Sequence, residues 1–515
     1  MTCNLDLSCI PYDDRAFVVQ RLSPFPETIQ SILLKNYFSY KTKFQRNSYL
    51  RETVQQISNK LSIPFDELEL HLSEDDLRAK ALHLAKSALA LRRQYLDDAL
   101  SVDALRLFVI KQGIDLGKIT YSIAGEVARY SDRKWWLRKL RLALRRNVET
   151  VLHHLNQVNK IRSLYCSYHT LLSRKNQKAY QKAYLENTIA TNNFGQSFSL
   201  LELSQKGVAD PKIRKGELMM RARGFEELSQ ELGHEACFLT ITCPSKYHRS
   251  YSKSGQPNPK WGGFTPLDGQ DYLNSIWVLI RANLNRLNIR FYGFRVAEPQ
   301  HDGTPHWHLL LFVEKKDYQL MVDTMKAYAM REDGGELGAT EHRFTEVKID
   351  PSKGSATGYI AKYISKNIDG SDLDTGVYGE DPLDAAARVD AWAACWGIRQ
   401  FQQLGGCSVT VWRELRRLKK SEDLNQAQEA IRVSADQGKW KEFTTLMGGV
   451  FAKRKQQVFK PYYEVTVDTS TGVVKSSPYC GEELLRALKG VVSETNKYVT
   501  RLFEWRVESC MRFGF

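Results

Sequence analysis

The sequence predicts an α+β protein, on three observations. Apolar residues recur at three- and four-residue spacing through most of the first two hundred positions, short β-rich runs alternate with amphipathic helices from about residue 225, and a mixed pattern follows Leu418. With 515 residues the chain is too long for one ordinary core, so two or three domains are expected. We place them at 1–224, mainly helical and basic; at 225–418, built on a sheet; and at 419–515, mixed α/β. The 42% hydrophobic and 26% charged composition is that of a soluble globular protein rather than a disordered, fibrous or membrane one.

In the first region the helical spacing is clearest in LRAKALHLAKSALALRRQYLDDALSVDALRLFVI and WWLRKLRLALRRNVETVLHHL, and the region ends near SQKGVADPKIRKGE, whose Gly, Pro and charges suggest a connection. Lys and Arg outnumber Asp and Glu by 74 to 59, a formal +15 with a pI near 9.2, which favours a polyanionic partner. The charge is uneven. From Arg133 to Lys182 thirteen basic residues face Glu149 alone. A solvated helix face is the plain reading, but one-signed charge repels itself until counter-charge arrives. Arg133, Lys134, Arg138, Lys139, Arg141, Arg145 and Arg146 are therefore the candidate DNA-binding residues, with a membrane surface as the weaker competitor.

The second region opens with the strand CFLTIT, from Cys237 to Thr242, and an excursion rich in Pro, Gly and Lys from Pro244 to Pro266. A helix over LDGQDYLNSIWVLIRANLNRLNI, a strand IRFYGFRVAE, a turn PQHDGTP and a strand HWHLLLFVE come next. A helix around Tyr318 to Met330, a strand HRFTEVKI and a helix holding GYIAKYISKN complete it. The order β-α-β-β-α-β is that of a split βαβ, ferredoxin-like sheet, antiparallel and with helices covering one face. Beyond Leu418 the chain offers a helical stretch EDLNQAQEAIRVSADQGKWKEFTTLM, a basic KRKQ and a strand pair around YYEVTVDTSTGVVKS.

Nine Cys scattered along the chain fit no disulfide framework and no CxxC pair, which points to a reducing compartment; Cys237 and Cys243 read as reduced core thiols. Neither a signal sequence nor an apolar run long enough for a membrane span is present, so a cytoplasmic protein without a membrane partner is expected.

His306 and His308 flank Trp307 on a predicted strand, so strand alternation puts both imidazoles on one face. Glu298 precedes the turn, where a hairpin can bring it alongside His306; His301, within the turn, is the rival third ligand. An HxH pair alone is weak evidence, since two hydrogen-bonded core or surface histidines are the commoner meaning of such a pair. With a carboxylate and no thiolate it favours a divalent ion with open positions, Mg²⁺ or Mn²⁺, over a closed structural zinc. Such an ion can polarise a phosphate.

Tyr359 and Tyr363 stand one helical turn apart, and Lys362 and Lys366 repeat that spacing. Tyrosines on a helix are usually packing residues. Together with a metal site, however, phenols and ammonium groups supply electrophile activation, a nucleophile and charge neutralisation for phosphodiester attack. A tyrosyl phosphodiester would also conserve the bond energy of a strand that must later be rejoined.

PHWHLLLF, preceded by AEPQHDGT and followed by GYIAKYISK, resembles the gene A type replication initiation proteins of bacteriophages, and FLTIT resembles the first motif of the same HUH superfamily. The resemblance spans roughly Cys237 to Leu418, including WGIRQFQ. It implies a metal-dependent, site-specific cut in single-stranded DNA at a replication origin, a 5′-phosphotyrosine bond, a free 3′-OH and rolling-circle replication. It implies His306, His308 and Glu298 as metal ligands, Tyr359 and Tyr363 as nucleophiles, and Lys362 and Lys366 as the lysines beside them. Two alternatives stand beside it: a two-tyrosine HUH transposase and a non-catalytic basic DNA-binding protein. Because the chain holds no GxxxxGK[ST] loop, a host helicase is expected to unwind from the nick, and the free 3′-OH that the resemblance implies makes a host DNA polymerase the other expected partner.

Overall fold

The computed structural model describes residues 10–117, 119–370, 378–420, 422–467, 473–477, 479–494 and 496–509. The chain folds as two compact units, Met1–Gln157 with Val465–Leu485, and Val158–Glu464 with Arg486–Phe515.

The first unit is mainly helical, and most of its helices begin at a side-chain cap. Thr42 and Ser73 form capping boxes with Gln45 and Asp76, and the run 77–110 is divided because Asp97 caps the amide of Leu100 and starts a new helix at Asp98. The long helix α1 (Arg133–His154) joins two cores. Trp135, Trp136 and Leu140 pack with Leu77, Leu84 and Leu105, whereas Val148, Val151 and Leu152 pack with Leu33, Val54 and Ile57. In this unit Glu126, 1% exposed, accepts from Arg106 Nε and Nη2 at 2.9 and 2.6 Å and from the Tyr130 hydroxyl at 2.9 Å.

The second unit centres on a five-stranded antiparallel sheet. Its strands are β1 (His234–Thr242), β2 (Phe291–Pro299), β3 (Pro305–Glu314), β4 (Phe344–Lys348) and β5 (Phe401–Leu404), in spatial order β4-β1-β3-β2-β5. Alternate residues feed two cores. Leu239, Ile241, Trp307, Leu309 and Leu311 pack with Ile276 and Ile280 of α3 (Pro266–Arg286) and Met321 and Met325 of α4 (Tyr318–Ala329). Phe238, Phe294, Leu310 and Phe312 pack with Phe225 of α2 (Pro211–Glu231), Ile360 and Ile364 of α5 (Ala356–Ile368), and Trp412 and Trp440.

Helices thus cover both faces, not one, and the near-continuous apolar run of β3 is the sequence mark of a strand buried on both sides. Two further expectations change. Pro211 opens α2 rather than a connection, with Asp210 capping Lys212 and Ile213. The strand pair sought within 462–476 reduces, among the described residues, to one bridge between Val467 and Val474; strand Lys460–Val465 pairs instead with Arg486–Ser493. Cys237 and Cys243 are free, buried core thiols.

Candidate metal centre and tyrosine helix

The β2–β3 hairpin sets the register of the site. Glu298 pairs directly with His306, and His308 pairs with Thr240 of β1 on the other side. The connecting turn needs Gly303: at φ +84° a Cβ there would meet the carbonyl oxygen of Tyr165 at 2.9 Å. As strand alternation requires, Trp307 faces the opposite core and donates its indole N–H to Gln270 Oε1 at 3.1 Å.

One ligand atom each from Glu298, His306 and His308 lie within 4.8 Å of one another. Thr240 Oγ1, 3.0 Å from His308 Nδ1, fixes that ring so that Nε2 faces Glu298 Oε2 at 3.8 Å. The Nε2 of His308 and the Nδ1 of His306 are shut off from solvent without a hydrogen-bond partner. Orphaned ring nitrogens of this kind are costly unless something satisfies them, and a divalent cation fits both imidazoles and the carboxylate. Burial, then the His308 ring, holds His306 well below the ordinary imidazole value. Burial, with Lys366 and Lys362, pushes His308 down to about 3. Both rings are neutral near pH 7, the form that binds a metal. His301 is no part of this cluster; its Nε2 sits 3.1 Å from the Ser250 carbonyl oxygen.

Helix α5 lies against this face of the sheet. Ser355 caps it, and Glu226 of α2 accepts from the amides of Ala356 and Thr357 at 2.6 and 3.0 Å, a carboxylate against the positive end of the helix. The Tyr363 ring packs on His308 with centroids 4.0 Å apart and stacks on Phe238 at 5.1 Å. Burial and the Glu298 charge push its phenol up to about 12. Tyr359 is 40% exposed, its ring 6.1 Å from Phe238.

The two lysines part company. Lys362 is exposed, whereas Lys366 is buried with its Nζ 3.1 Å from Glu298 Oε2. Asn367 donates to the other Glu298 oxygen and to the Tyr363 carbonyl, and Gln400 donates to Asn367. Thr240, Asn367 and Glu226 are site residues that sequence reasoning missed. Thr240 and Asn367 lie inside the quoted FLTIT and YISKN runs, but their partners follow from register and helix docking.

The basic run divides between the two units. On α1, Lys134, Arg138 and Arg141 are exposed and Arg133, Lys139, Arg145 and Arg146 half-buried. Arg141 pairs with Glu74, Arg138 donates to the Tyr479 hydroxyl at 3.3 Å, and Lys139 reaches the Asp115 carbonyl at 3.5 Å. In the second unit Arg174 and Lys178 meet Asp390 at 2.8 and 2.9 Å, and Lys175 meets Asp384 at 3.8 Å. Acids remote in sequence thus supply part of the counter-charge that the run itself lacks. Among the described residues no helix is long and apolar enough to cross a membrane.

The family model for bacteriophage replication gene A protein matches residues 50–371. The chain is 40% identical over 401 residues to the replication gene A protein of Escherichia phage 186, covering 75% of this chain and 56% of that protein. It is 40% identical over 386 residues to the replication protein of Haemophilus phage HP1, covering 73% and 49%. To the probable replication endonuclease from a prophage-like region of Salmonella paratyphi A it is 34% identical over 365 residues, covering 68% and 46%. The chain spans about half the length of the curated relatives it matches. No solved structure matches it. With a family model that covers more than half of its residues, the histidine strand and the tyrosine helix among them, and a relative 40% identical over 401 residues, this chain belongs to the bacteriophage replication gene A protein family.

Proposed function

We propose that the protein is a site-specific single-strand DNA endonuclease and strand transferase that initiates rolling-circle replication. The sheet order β4-β1-β3-β2 with its extra edge strand β5 serves, on this reading, as the ferredoxin-like core of an HUH nuclease. The observation that carries the proposal is the packing of Tyr363 on His308, 4.0 Å between centroids, which sets a two-tyrosine helix against a Glu–His–His cluster. The endonuclease name of the Salmonella relative agrees with it.

Glu298, His306 and His308 would hold Mg²⁺ or Mn²⁺, which when bound polarises a non-bridging phosphate oxygen. A tyrosine phenol oxygen attacks phosphorus, giving up its proton to the surrounding water. The P–O3′ bond breaks, the leaving 3′ oxygen takes a proton, and the 5′ phosphate stays on tyrosine. Two phenols allow one to open the strand and the other to receive it after a round. Lys362, exposed one turn from Tyr359 and Lys366, offers an ammonium to the phosphate. Thr240 keeps His308 turned towards the cation position.

The division of labour we propose is a basic helical region within 1–224 that grips origin DNA through the exposed residues of α1, a nuclease domain within 225–418, and a mixed region 419–515. A host helicase and DNA polymerase would act from the nick in a bacterial cytoplasm. The test is a denaturing gel of the protein with 5′- and 3′-labelled single-stranded origin DNA, with and without Mg²⁺ or Mn²⁺. A cation-dependent adduct on the 3′ fragment, lost when both Tyr359→Phe and Tyr363→Phe are present, is expected. Origin binding with no adduct would leave a binding protein instead.

A further inference from the structure

Glu298 Oε2 lies 3.1 Å from Lys366 Nζ and 3.8 Å from His308 Nε2, and the Lys366 and Glu298 side chains are 6% and 1% exposed. One carboxylate oxygen therefore faces an ammonium on one side and a ligand imidazole on the other. The ammonium is packed in place, since its Nζ sits 5.2 Å from the centroid of the buried Tyr165 ring and the next residue, Asn367, donates to the second Glu298 oxygen. A buried carboxylate left without counter-charge is costly, so Lys366 keeps the cluster intact when no cation is bound. The same ammonium repels any cation drawn to Oε2, and the exclusion of water strengthens the repulsion. Lys362 adds positive potential at His308 from the exposed side. With a divalent ion present, Glu298 is the single carboxylate of the ligand cluster against that ion and two ammonium groups. Negative charge is then what the site lacks, and a phosphodiester supplies it.

We infer that Lys366 makes divalent-cation binding at Glu298, His306 and His308 conditional on a bound phosphodiester, so that the cation and single-stranded DNA bind cooperatively. The inference rests on the nuclease reading above and adds to it an order of assembly, with the cation held weakly until the strand is in place. By linkage the coupling is reciprocal: the cation raises the affinity for DNA by the factor by which DNA raises the affinity for the cation.

The test uses the whole chain carrying Tyr359→Phe and Tyr363→Phe, which keeps both rings and prevents cutting. Mn²⁺ binding is read by electron paramagnetic resonance at fixed ionic strength, without DNA and with a single-stranded origin oligonucleotide at a concentration that saturates the protein by fluorescence anisotropy. The oligonucleotide is expected to tighten Mn²⁺ binding about tenfold. Adding Lys366→Met should tighten Mn²⁺ binding without DNA by about tenfold and cut the DNA-induced gain to below about threefold. Equal Mn²⁺ affinity with and without DNA in the parent overturns the inference whatever the variant does. So does an undiminished gain in a Lys366→Met protein that keeps its near-ultraviolet circular dichroism, with Lys366→Gln as the substitute if the Met variant does not fold. A parent that binds no oligonucleotide, or binds no Mn²⁺ in either state, or binds it equally well after His308→Ala, overturns the nuclease reading and this inference together. Mn²⁺ bound through His308 without coupling to DNA overturns the inference alone.

Discussion

Two buried glutamates, one in each unit, have been put to different uses. Glu126 and Glu298 are each 1% exposed and each meets a cation, Arg106 for the first and Lys366 for the second. Around Glu126 the hydrogen bonding closes: the Arg106 fork and the Tyr130 hydroxyl occupy both oxygens. Around Glu298 the carboxylate is equally well held, yet the two neighbouring imidazoles end in nitrogens with no partner. Burial and ion pairing alone therefore do not mark a site. What marks it is convergence: two imidazole nitrogens without partners stand with a carboxylate oxygen in one group whose ligand atoms lie within 4.8 Å of one another.

Removing one residue from each cluster should separate the two roles. His308→Ala should lower the cation-dependent cleavage rate by about 10³-fold or more, roughly 4 kcal/mol of transition-state stabilisation, while the urea unfolding free energy moves far less. Cleavage kinetics beside equilibrium denaturation checks this, and a rate within about tenfold of the parent would remove His308 from the chemistry. Glu126→Ala should do the reverse. Loss of three hydrogen bonds to a buried carboxylate should cost about 2–4 kcal/mol of stability in the helical unit, read from its urea midpoint. A loss below about 0.5 kcal/mol would show that Glu126 is no stabilising anchor.

The parts of the site that could be read in the sequence are those set by local periodicity. Strand alternation predicts His306 and His308 on one face, and helical spacing predicts Tyr359 over Tyr363; each needs only a few neighbouring residues. The hairpin turn reaches one step further and brings Glu298 opposite His306. Lys366 marks where legibility stops. Its spacing matches that of Lys362, but α5 docks so that one ammonium is buried on Glu298 and the other stays in solvent, a difference made by tertiary packing. The counter-charges of the basic run were hidden for the same reason, since Asp390 lies more than two hundred positions from Arg174. The second covered face of the sheet was legible in part, through the unbroken apolar run of β3, but its partner helix α2 lay in what reads as a connection.

Each cluster leans on one hydroxyl, Tyr130 at Glu126 and Thr240 at His308. Thr240→Val keeps the shape and removes the bond to His308 Nδ1, freeing the ring to turn. Mn²⁺ affinity measured with DNA present should fall about tenfold, near 1.4 kcal/mol, with little change in unfolding. An unchanged affinity would mean that packing between Phe238 and Tyr363 holds the imidazole without help from Thr240.

The smallest expected effect is the acid response of Glu126. Its hydrogen bonds from Arg106, and then from Tyr130, hold the carboxyl below the usual glutamate range against the opposing cost of burial. A folded-state value below the unfolded one means that the unfolded chain binds the proton more readily. The stabilisation is therefore fully present above the ordinary glutamate value and is lost as pH falls through the lowered one. Between about pH 5 and pH 3 the urea midpoint of the helical unit should fall more steeply in the parent than in Glu126→Gln, which has no proton to gain at that position. Parallel slopes would assign the acid sensitivity to other carboxylates, such as Glu74 with its Arg141 and Arg78 partners, and leave Glu126 as a hydrogen-bond acceptor whose charge matters little.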